Sequence, residues 1–371
     1  MDEIKNFTYI WPVEKIILKG VFKMKKFNYM IIINFILIFA LLLSITISGL
    51  SADKVINWRL QSMCAAGDFG FEGAKMFAEQ VTEASGGRLV VKAFTAGAIT
   101  PAGKEFDGAI AGSVEAAHVS GGWAVGYVPA GVFYTNWVGG HTGNQLMMWL
   151  EYEGIDLARE LYDPIGVYFV DQLTVHPAEV WCHSKKPLRS VEDIKGLKIR
   201  MGTTALNSIF KEMGASPVFL PGGEIYESVK RGILDAFEYI TPSLNWGMGF
   251  HEVTDYMYIS SSRAPSDAQS LFVNMDAWNA LPADLQEIVK LVAHRVSHQF
   301  FSESVVRDST ALAKYREYGT VVEKLPKDIE ELLFEKAIEY YAAESAKDAG
   351  YKKVYESALK FKEICDMFDI K

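Results

Sequence analysis

The chain has 371 residues, half of them hydrophobic and 22% charged, which is enough to bury a large core in two lobes and too apolar for a disordered protein. Its formal charge of −9 weighs against partners such as nucleic acid or anionic lipid, which an acidic surface repels. Three widely spaced cysteines, Cys64, Cys182 and Cys365, show no CxxC or Cys/His spacing, so neither a zinc motif nor a disulfide framework is indicated.

The N-terminus carries the strongest compositional signal. Met30 to Ile47 reads MIIINFILIFALLLSITI, preceded by the basic MKK of Met24 to Lys26 and followed by the small residues SGLSA. A basic start, an apolar stretch and small residues make a secretory leader. The reading is therefore that residues 1–23 are a misassigned start, that Met24 opens the natural chain, and that 24–52 is a leader cleaved near Ala52. An uncleaved membrane anchor is the alternative, since the run is long enough for a thin bilayer. Either way the domain faces outward, as a periplasmic protein does. Of 37 basic and 46 acidic residues, six lysines and three acids fall in 1–52, so the mature chain carries −12.

Beyond the leader, strands and helices alternate. VINWRLQSM (55–63) reads as a strand, AAGDFG as a loop, and the next stretch places Phe71, Ala74, Phe77, Ala78 and Val81 on one helical face. GRLVVKAF is a strand, PAGKEFDGAIAG a helix ended by Gly112, and SVEAAHVS a strand again. The order recurs as LKIRM, TALNSIFKEMG, SPVFL, GGEIYESVKRG and ILDAFEYI. Such traffic predicts an α/β fold with largely parallel sheets flanked by helices.

The recurrence aligns at an offset of 120. Phe106 falls on Tyr226, Gly112 on Gly232, Val114 on Leu234, Glu115 on Asp235, Ala116 on Ala236 and His118 on Glu238. Part of this match is generic to a glycine-ended helix followed by a strand. The remainder predicts two lobes of like topology with a cleft between them. Ligands of open parallel sheets sit beyond the carboxyl ends of the strands, which puts Arg200, His118 and Glu238 at or near the cleft. Arg200 ends a buried-looking strand and cannot lose its charge, so it needs an anion or water.

Four segments together carry a family resemblance: AGAITPAGKEFDGAIAGSVEAAH, DIKGLKIRM, MGASPVFLPGGEIYESVKRGILDAFEY and NMDAWNALPADLQEIV. They resemble the DctP-type solute-binding proteins of TRAP transporters over about residues 55–325. LPGGEIYESV and the EY pair further resemble the branch that binds 2-oxo acids and other small monocarboxylates with a metal ion. The resemblance implies a two-lobed periplasmic binding protein of type II-like fold, closing by hinge motion on a small organic anion and delivering it to the TRAP permease membrane subunits.

It also implies roles for residues. Arg200 holds the place of an arginine that grips the solute carboxylate in a bidentate salt bridge, which suits the planar guanidinium fork. The metal of the oxo-acid branch lies between the solute, a glutamine, a glutamate and the main chain of the following aromatic residue. Glu238 and Tyr239 match that pair. The glutamine place falls near Glu179, with Gln172 as the alternative. Two acids and a bound carboxylate suit calcium better than sodium.

Aromatics are expected to shape the remaining pocket, with Phe69, Trp123 and Trp181 the leading candidates and Trp58 and Trp246 further ones, although core packing accounts for at least half of such residues. Asp68 is placed to cap the helix after it, and Ser120, Gly121 and Gly122 to offer main-chain donors. No GxSxG elbow, Walker loop or GxGxxG motif is present. His294 and His298 stand one helical turn apart in HRVSH, without the glutamate of a metalloprotease, and read as a solvated helix face.

The lobes are drawn as 53–174 with 238–266, and 175–237 with 267–325, with chain crossings near VYFVDQLTV, DAFEY and AQSLFVN. Residues 326–371 form one or two long helices with Leu332, Leu333, Ala337, Ile338 and Tyr341 on the apolar face, packing over both lobes or pairing two copies in a homodimer. A membrane-anchored sensor domain of the same fold, and a metal-dependent enzyme acting on oxo acids, are the rival readings.

Overall fold

The computed structural model describes residues 54–371, together with Ile31, Asn34 and Phe35. Apart from those three, the Met24 start and the leader over 24–52 lie outside the described residues. No helix among the described residues is long and apolar enough to cross a membrane. Residues 55–371 form one compact unit.

The first half builds a sheet from β1 (Ile56–Ser62), β2 (Leu89–Phe94), β3 (Ala116–Val119) and β4 (Val167–His176), with helix α1 (Phe69–Ala84) between β1 and β2 and α2 (Glu105–Ile110) before β3. Helices α3 (Gly143–Trp149) and α4 (Ile155–Tyr162) precede β4. α1 buries Ala74, Phe77, Ala78 and Val81 as the periodicity predicts, and Asp68 caps it by accepting from the Gly70 amide at 2.7 Å.

A second sheet follows: β5 (Val180–Ser184), β6 (Lys198–Arg200), α5 (Thr204–Glu212), β7 (Ser216–Val218), α6 (Gly222–Lys230), β8 (Ala236–Phe237), α7 (Pro242–Gly247) and β9 (Tyr256–Ile259). The chain then adds β10 (Asp267–Asn274), α8 (Met275–Asn279), the 36-residue α9 (Ala283–Tyr318), β11 (Val321–Lys324), α10 (Lys327–Ser345) and α11 (Ala349–Met367). The sheet orders are β2-β1-β3-β10-β4 and β11-β9-β5-β8-β6-β7.

Both sheets are mixed. β10 lies antiparallel between β3 and β4, and β5 runs antiparallel to both β8 and β9. This corrects the expected lobe boundaries, because 256–259 belongs to the second sheet and 267–274 to the first. The physical reason is burial: β10 places Ala268, Leu271, Phe272 and Val273 in the middle of the first sheet, where sequence order alone had not put it.

Two short segments therefore cross between sheets, 177–179 after β4 and 260–266 after β9, and α9 makes a third crossing on the way from β10 to β11. The two short segments run side by side, with the Glu179 amide donating to the Ala264 carbonyl at 3.1 Å. The DAFEY segment stays within the second sheet and is not a crossing. α9 links both halves: Leu285, Val289, Val292 and Val296 pack with α1 and the first sheet, whereas Tyr315 packs with Val180 and Met257 of the second.

The aligned segments at 105–118 and 224–238 share local geometry. Gly112 and Gly232 both adopt left-handed backbone, at φ 69° and 76°, and each following amide, Ser113 and Ile233, closes a loop on a helix carbonyl at 2.9 Å. That pattern ends a helix without strain only where the residue lacks a Cβ. Val114 and Leu234 are both buried behind it.

The C-terminal stretch is two helices. Leu333, Ala337 and Tyr341 are buried as expected, and Leu332 is partly so, but Ile338 is 62% exposed and leaves the apolar face. α10 packs on α5 of the second half and α11 on residues 129–134 and α3 of the first, so the pair straps the two halves together.

Candidate functional site

Arg200 is the last residue of β6, and Glu238 follows β8, its parallel neighbour. The strand pairing sets Arg200 beside Phe237, so the next residue places its carboxylate against the guanidinium. Arg200 Nη1 donates to Glu238 Oε1 at 2.9 Å and to the Glu238 carbonyl at 2.9 Å, and Nε donates to the Leu220 carbonyl at 3.0 Å. The Gly202 amide also donates to Glu238 Oε1. Nη2 takes part in none of these bonds. Tyr239 covers the group, with its ring centroid 5.6 Å from Arg200 Cζ. Gly222 makes room for that ring, since a Cβ there would stand 2.6 Å from the Tyr239 hydroxyl.

A second arginine, Arg263, completes the cluster. It lies on the crossing between β9 and β10 and is fully buried. Its Nη1 is 3.2 Å from Glu238 Oε2, and its Nη2 bonds Glu179 Oε2. Nη2 also donates to the carbonyls of Val180 at 2.8 Å and Tyr239 at 3.4 Å, and Nε to that of Trp181 at 3.0 Å. Glu179 Oε1 accepts from Asn136 Nδ2 at 2.8 Å, and Asn136 also reaches Asp267 Oδ1 at 3.2 Å. Thr135 and Gln269 donate to the two Asp267 oxygens at 3.0 and 2.6 Å.

Burial dominates the electrostatics. It pushes the Glu179 carboxyl well above its ordinary range, Arg263 offsetting that only in part, and it pushes Asp267 up to about 6. For Arg263 burial works against the charge, but Glu179 and Glu238 outweigh it and keep the guanidinium firmly protonated.

The structure thus brings Arg200, Glu238, Tyr239 and Glu179 together and adds Arg263, Asn136, Thr135 and Asp267, which sequence reasoning missed. Their one signal is an isolated arginine in the small-residue run SSSRAPS, too faint to read without the crossing beside it. Gln172, the alternative to Glu179, is committed elsewhere: it donates to the Tyr134 carbonyl at 2.6 Å and accepts from Ser270.

Other expected residues lie apart. His118 has both ring nitrogens engaged, by Ser62 and Thr174 at 2.9 Å each, and burial lowers its pKa to about 3, so it is a structural part of the first sheet. Phe69 stacks on Phe300 at 4.4 Å beneath Arg307. Trp181 packs its buried ring on Phe210 and lends the cluster only its carbonyl. Trp58 is core, and Trp246 stacks on His251. Core packing takes Trp58 and Trp181, whereas Phe69 and Trp246 are half-buried.

Trp123 is 38% exposed in the turn after Ser120, whose hydroxyl accepts from the Gly122 amide and donates to Thr135. That turn faces Thr203 across a cleft of about 210 Å³ lined also by Val125, Thr204, Tyr340 and Glu344. A larger cleft of about 300 Å³, lined by Glu151, Arg159, Asp171 and His294, contains none of the cluster residues. His294 pairs with Asp171 at 3.2 Å and lies 4.7 Å, ring to ring, from His298. The three cysteines are free thiols.

The sequence profile of bacterial extracellular solute-binding protein family 7, DctP, matches residues 61–348. The chain belongs to the DctP family. It is 29% identical over 311 residues to the monocarboxylate 2-oxoacid-binding periplasmic protein of Nostoc sp., covering 83% of this chain and 84% of that one. Two solved TRAP periplasmic solute-binding proteins share the DctP architecture. That of Pseudoalteromonas atlantica, with bound sodium and pyruvate, superposes with a TM-score of 0.80 at 28% identity, and that of Colwellia psychrerythraea, with bound calcium and pyruvate, at 0.81 and 27%. Each covers 85% of this chain and 96% of its own.

As a DctP protein, the chain is a TRAP solute-binding receptor of the extracytoplasmic class, which binds small organic acids for a membrane permease. The solved relatives support a metal ion beside the solute and do not choose between sodium and calcium. In this chain the donors expected for a metal, Glu179, Glu238 and the Tyr239 carbonyl, all contact the Arg263 guanidinium. Among the described residues no group of three or more His, Cys, Asp or Glu is placed to hold a metal ion. As arranged, the residues do not fit a metal.

Proposed function

We propose that this receptor captures a small 2-oxo or 2-hydroxy monocarboxylate of the pyruvate or lactate class, holding the carboxylate on Arg200. The observation that carries this reading is a buried arginine at the carboxyl end of a parallel strand whose bonds to the described residues run through Nε and Nη1, leaving Nη2 for a solute. Nη1 is shared with Glu238, so the carboxylate adds to an existing ion pair rather than meeting a bare fork. Tyr239 walls the site, and both arginines of the cluster are already paired with Glu238, which leaves no further cation there for a second carboxylate and favours monocarboxylates over dicarboxylates. The protein acts as a receptor and not as an enzyme, in the periplasm after loss of residues 24–52.

Calcium, the metal expected from the charge of the site, competes for the donors that Arg263 already holds. The test is calorimetric titration of the mature protein with pyruvate, 2-oxobutyrate, 2-oxoisovalerate, lactate and a C4 dicarboxylate, with and without prior chelation. Saturable binding of a monocarboxylate is the expected result. Silence from all four monocarboxylates, or preference for the dicarboxylate, overturns the reading.

A further inference from the structure

We propose that the Arg263 guanidinium is the resident cation of this site, standing in for the sodium or calcium found with pyruvate in the two solved relatives, so that the protein captures its solute without a metal ion. This rests on the carboxylate reading above.

Three observations carry it. The two acids and one carbonyl expected as metal ligands converge on one guanidinium, through Nη2 to Glu179 Oε2 and the Tyr239 carbonyl and through Nη1 to Glu238 Oε2. That guanidinium is anchored from behind by the Trp181 and Val180 carbonyls, is fully buried, and cannot discharge. A metal ion among the same oxygens would face this fixed like charge at close range.

The third observation is an unspent donor. Arg263 Nη1 carries two N–H groups; it lies in ion contact with Glu238 Oε2 at 3.2 Å, and among the described residues it makes no hydrogen bond, so at least one N–H is open to a further acceptor. A buried guanidinium N–H without an acceptor is costly in the free protein and rewards an incoming oxygen. A solute carboxylate on Arg200, with its 2-oxo or 2-hydroxy oxygen turned to Arg263, would supply one. Because Arg263 lies on a crossing segment, the cation is tethered to the link between the two sheets, where a metal would exchange with solvent.

The experiment separates this inference from the reading beneath it. Metal content is measured on the solute-free protein in potassium buffer, and calcium or sodium alone is titrated in. No stoichiometric metal is expected, and a bound calcium or sodium ion overturns the inference whatever the solute. Pyruvate is then titrated before and after chelation. Affinities within about threefold, or under 1 kcal/mol, support the resident cation, and a tenfold loss that calcium or sodium restores overturns it. If no monocarboxylate binds in any condition, the functional reading fails, while the metal measurement still decides on Arg263.

Arg263→Met should weaken pyruvate binding by about 30-fold or more, as for loss of one partner of a buried charge pair. A folded Arg263→Met protein with unchanged affinity would overturn the proposal. If that variant does not fold, Arg263→Met combined with Glu179→Gln removes the stranded carboxylate. It should bind pyruvate weakly and gain at least about tenfold on addition of calcium. Wild-type affinity without metal in the double variant counts against the inference.

Discussion

Arg200 and Glu238 form a buried ion pair, 2.9 Å from Nη1 to Oε1, across the carboxyl ends of two adjacent parallel strands. The far oxygen of the same carboxylate faces Arg263 at 3.2 Å. One glutamate thus holds two arginines, one at a strand end and one fully enclosed on the crossing segment. A buried carboxylate held between two guanidiniums fixes both forks before any solute arrives.

Arg200→Ala should reduce monocarboxylate affinity by about 30-fold to several thousandfold, the cost of removing one partner of a buried, hydrogen-bonded charge pair. The fold should survive, because Glu238 retains Arg263 and the Gly202 amide. Calorimetry with circular dichroism checks both halves. A folded variant with wild-type affinity would remove Arg200 from the site.

Asp267 makes stability depend on pH. Burial raises its folded pKa from 3.8 to about 6, so the folded state holds a proton that the unfolded chain has lost. Its contribution is therefore favourable below about pH 4 and is lost as pH rises to about 6, an effect of about 3 kcal/mol at 1.36 kcal/mol per pH unit. Urea unfolding of wild type and Asp267→Asn at pH 4, 5, 6 and 7 should show the gap shifting in favour of the variant across that window. A constant gap would show that Asp267 does not titrate there.

Gly222→Ala should disturb the site without touching a charge. Its Cβ would meet the Tyr239 ring and hydroxyl at 2.6 to 2.9 Å, forcing the ring off Arg200. Overpacking of this kind costs about 1–3 kcal/mol. Thermal unfolding and pyruvate titration should both report the loss, and an unchanged variant would mean that Tyr239 moves freely.

Tyr341→Phe tests the C-terminal strap. The buried Tyr341 hydroxyl accepts from the Val138 amide at 2.8 Å, tying α10 to the first half of the chain. Without it a buried N–H has no partner, at about 1–3 kcal/mol. Chemical denaturation that finds less than about 0.5 kcal/mol would place water or another acceptor at Val138.

Much of the fold was legible because its signals are local. The α1 face, the Asp68 cap, and the paired Gly112 and Gly232 helix ends each depend on residues a few positions apart, and the structure retains all of them. Arg200 and Glu238 were also legible, since both stand at strand carboxyl ends in a repeated unit. The aromatic candidates were not. Trp181 is as suited to a core as to a pocket wall, and only its burial against Phe210 decides.

By itself, the sequence determined the alternating α/β plan, the acidic surface, the family resemblance and the place of Arg200 at a strand end, because period, charge and motif are properties of contiguous residues. Tertiary structure alone decided the sheet membership of β9 and β10 and the identity of the cation between Glu179 and Glu238. Arg263 meets Glu179 from 84 residues away, where two crossing segments pair backbone to backbone. A contact of that range is set by which strands pack together, and no local pattern encodes it.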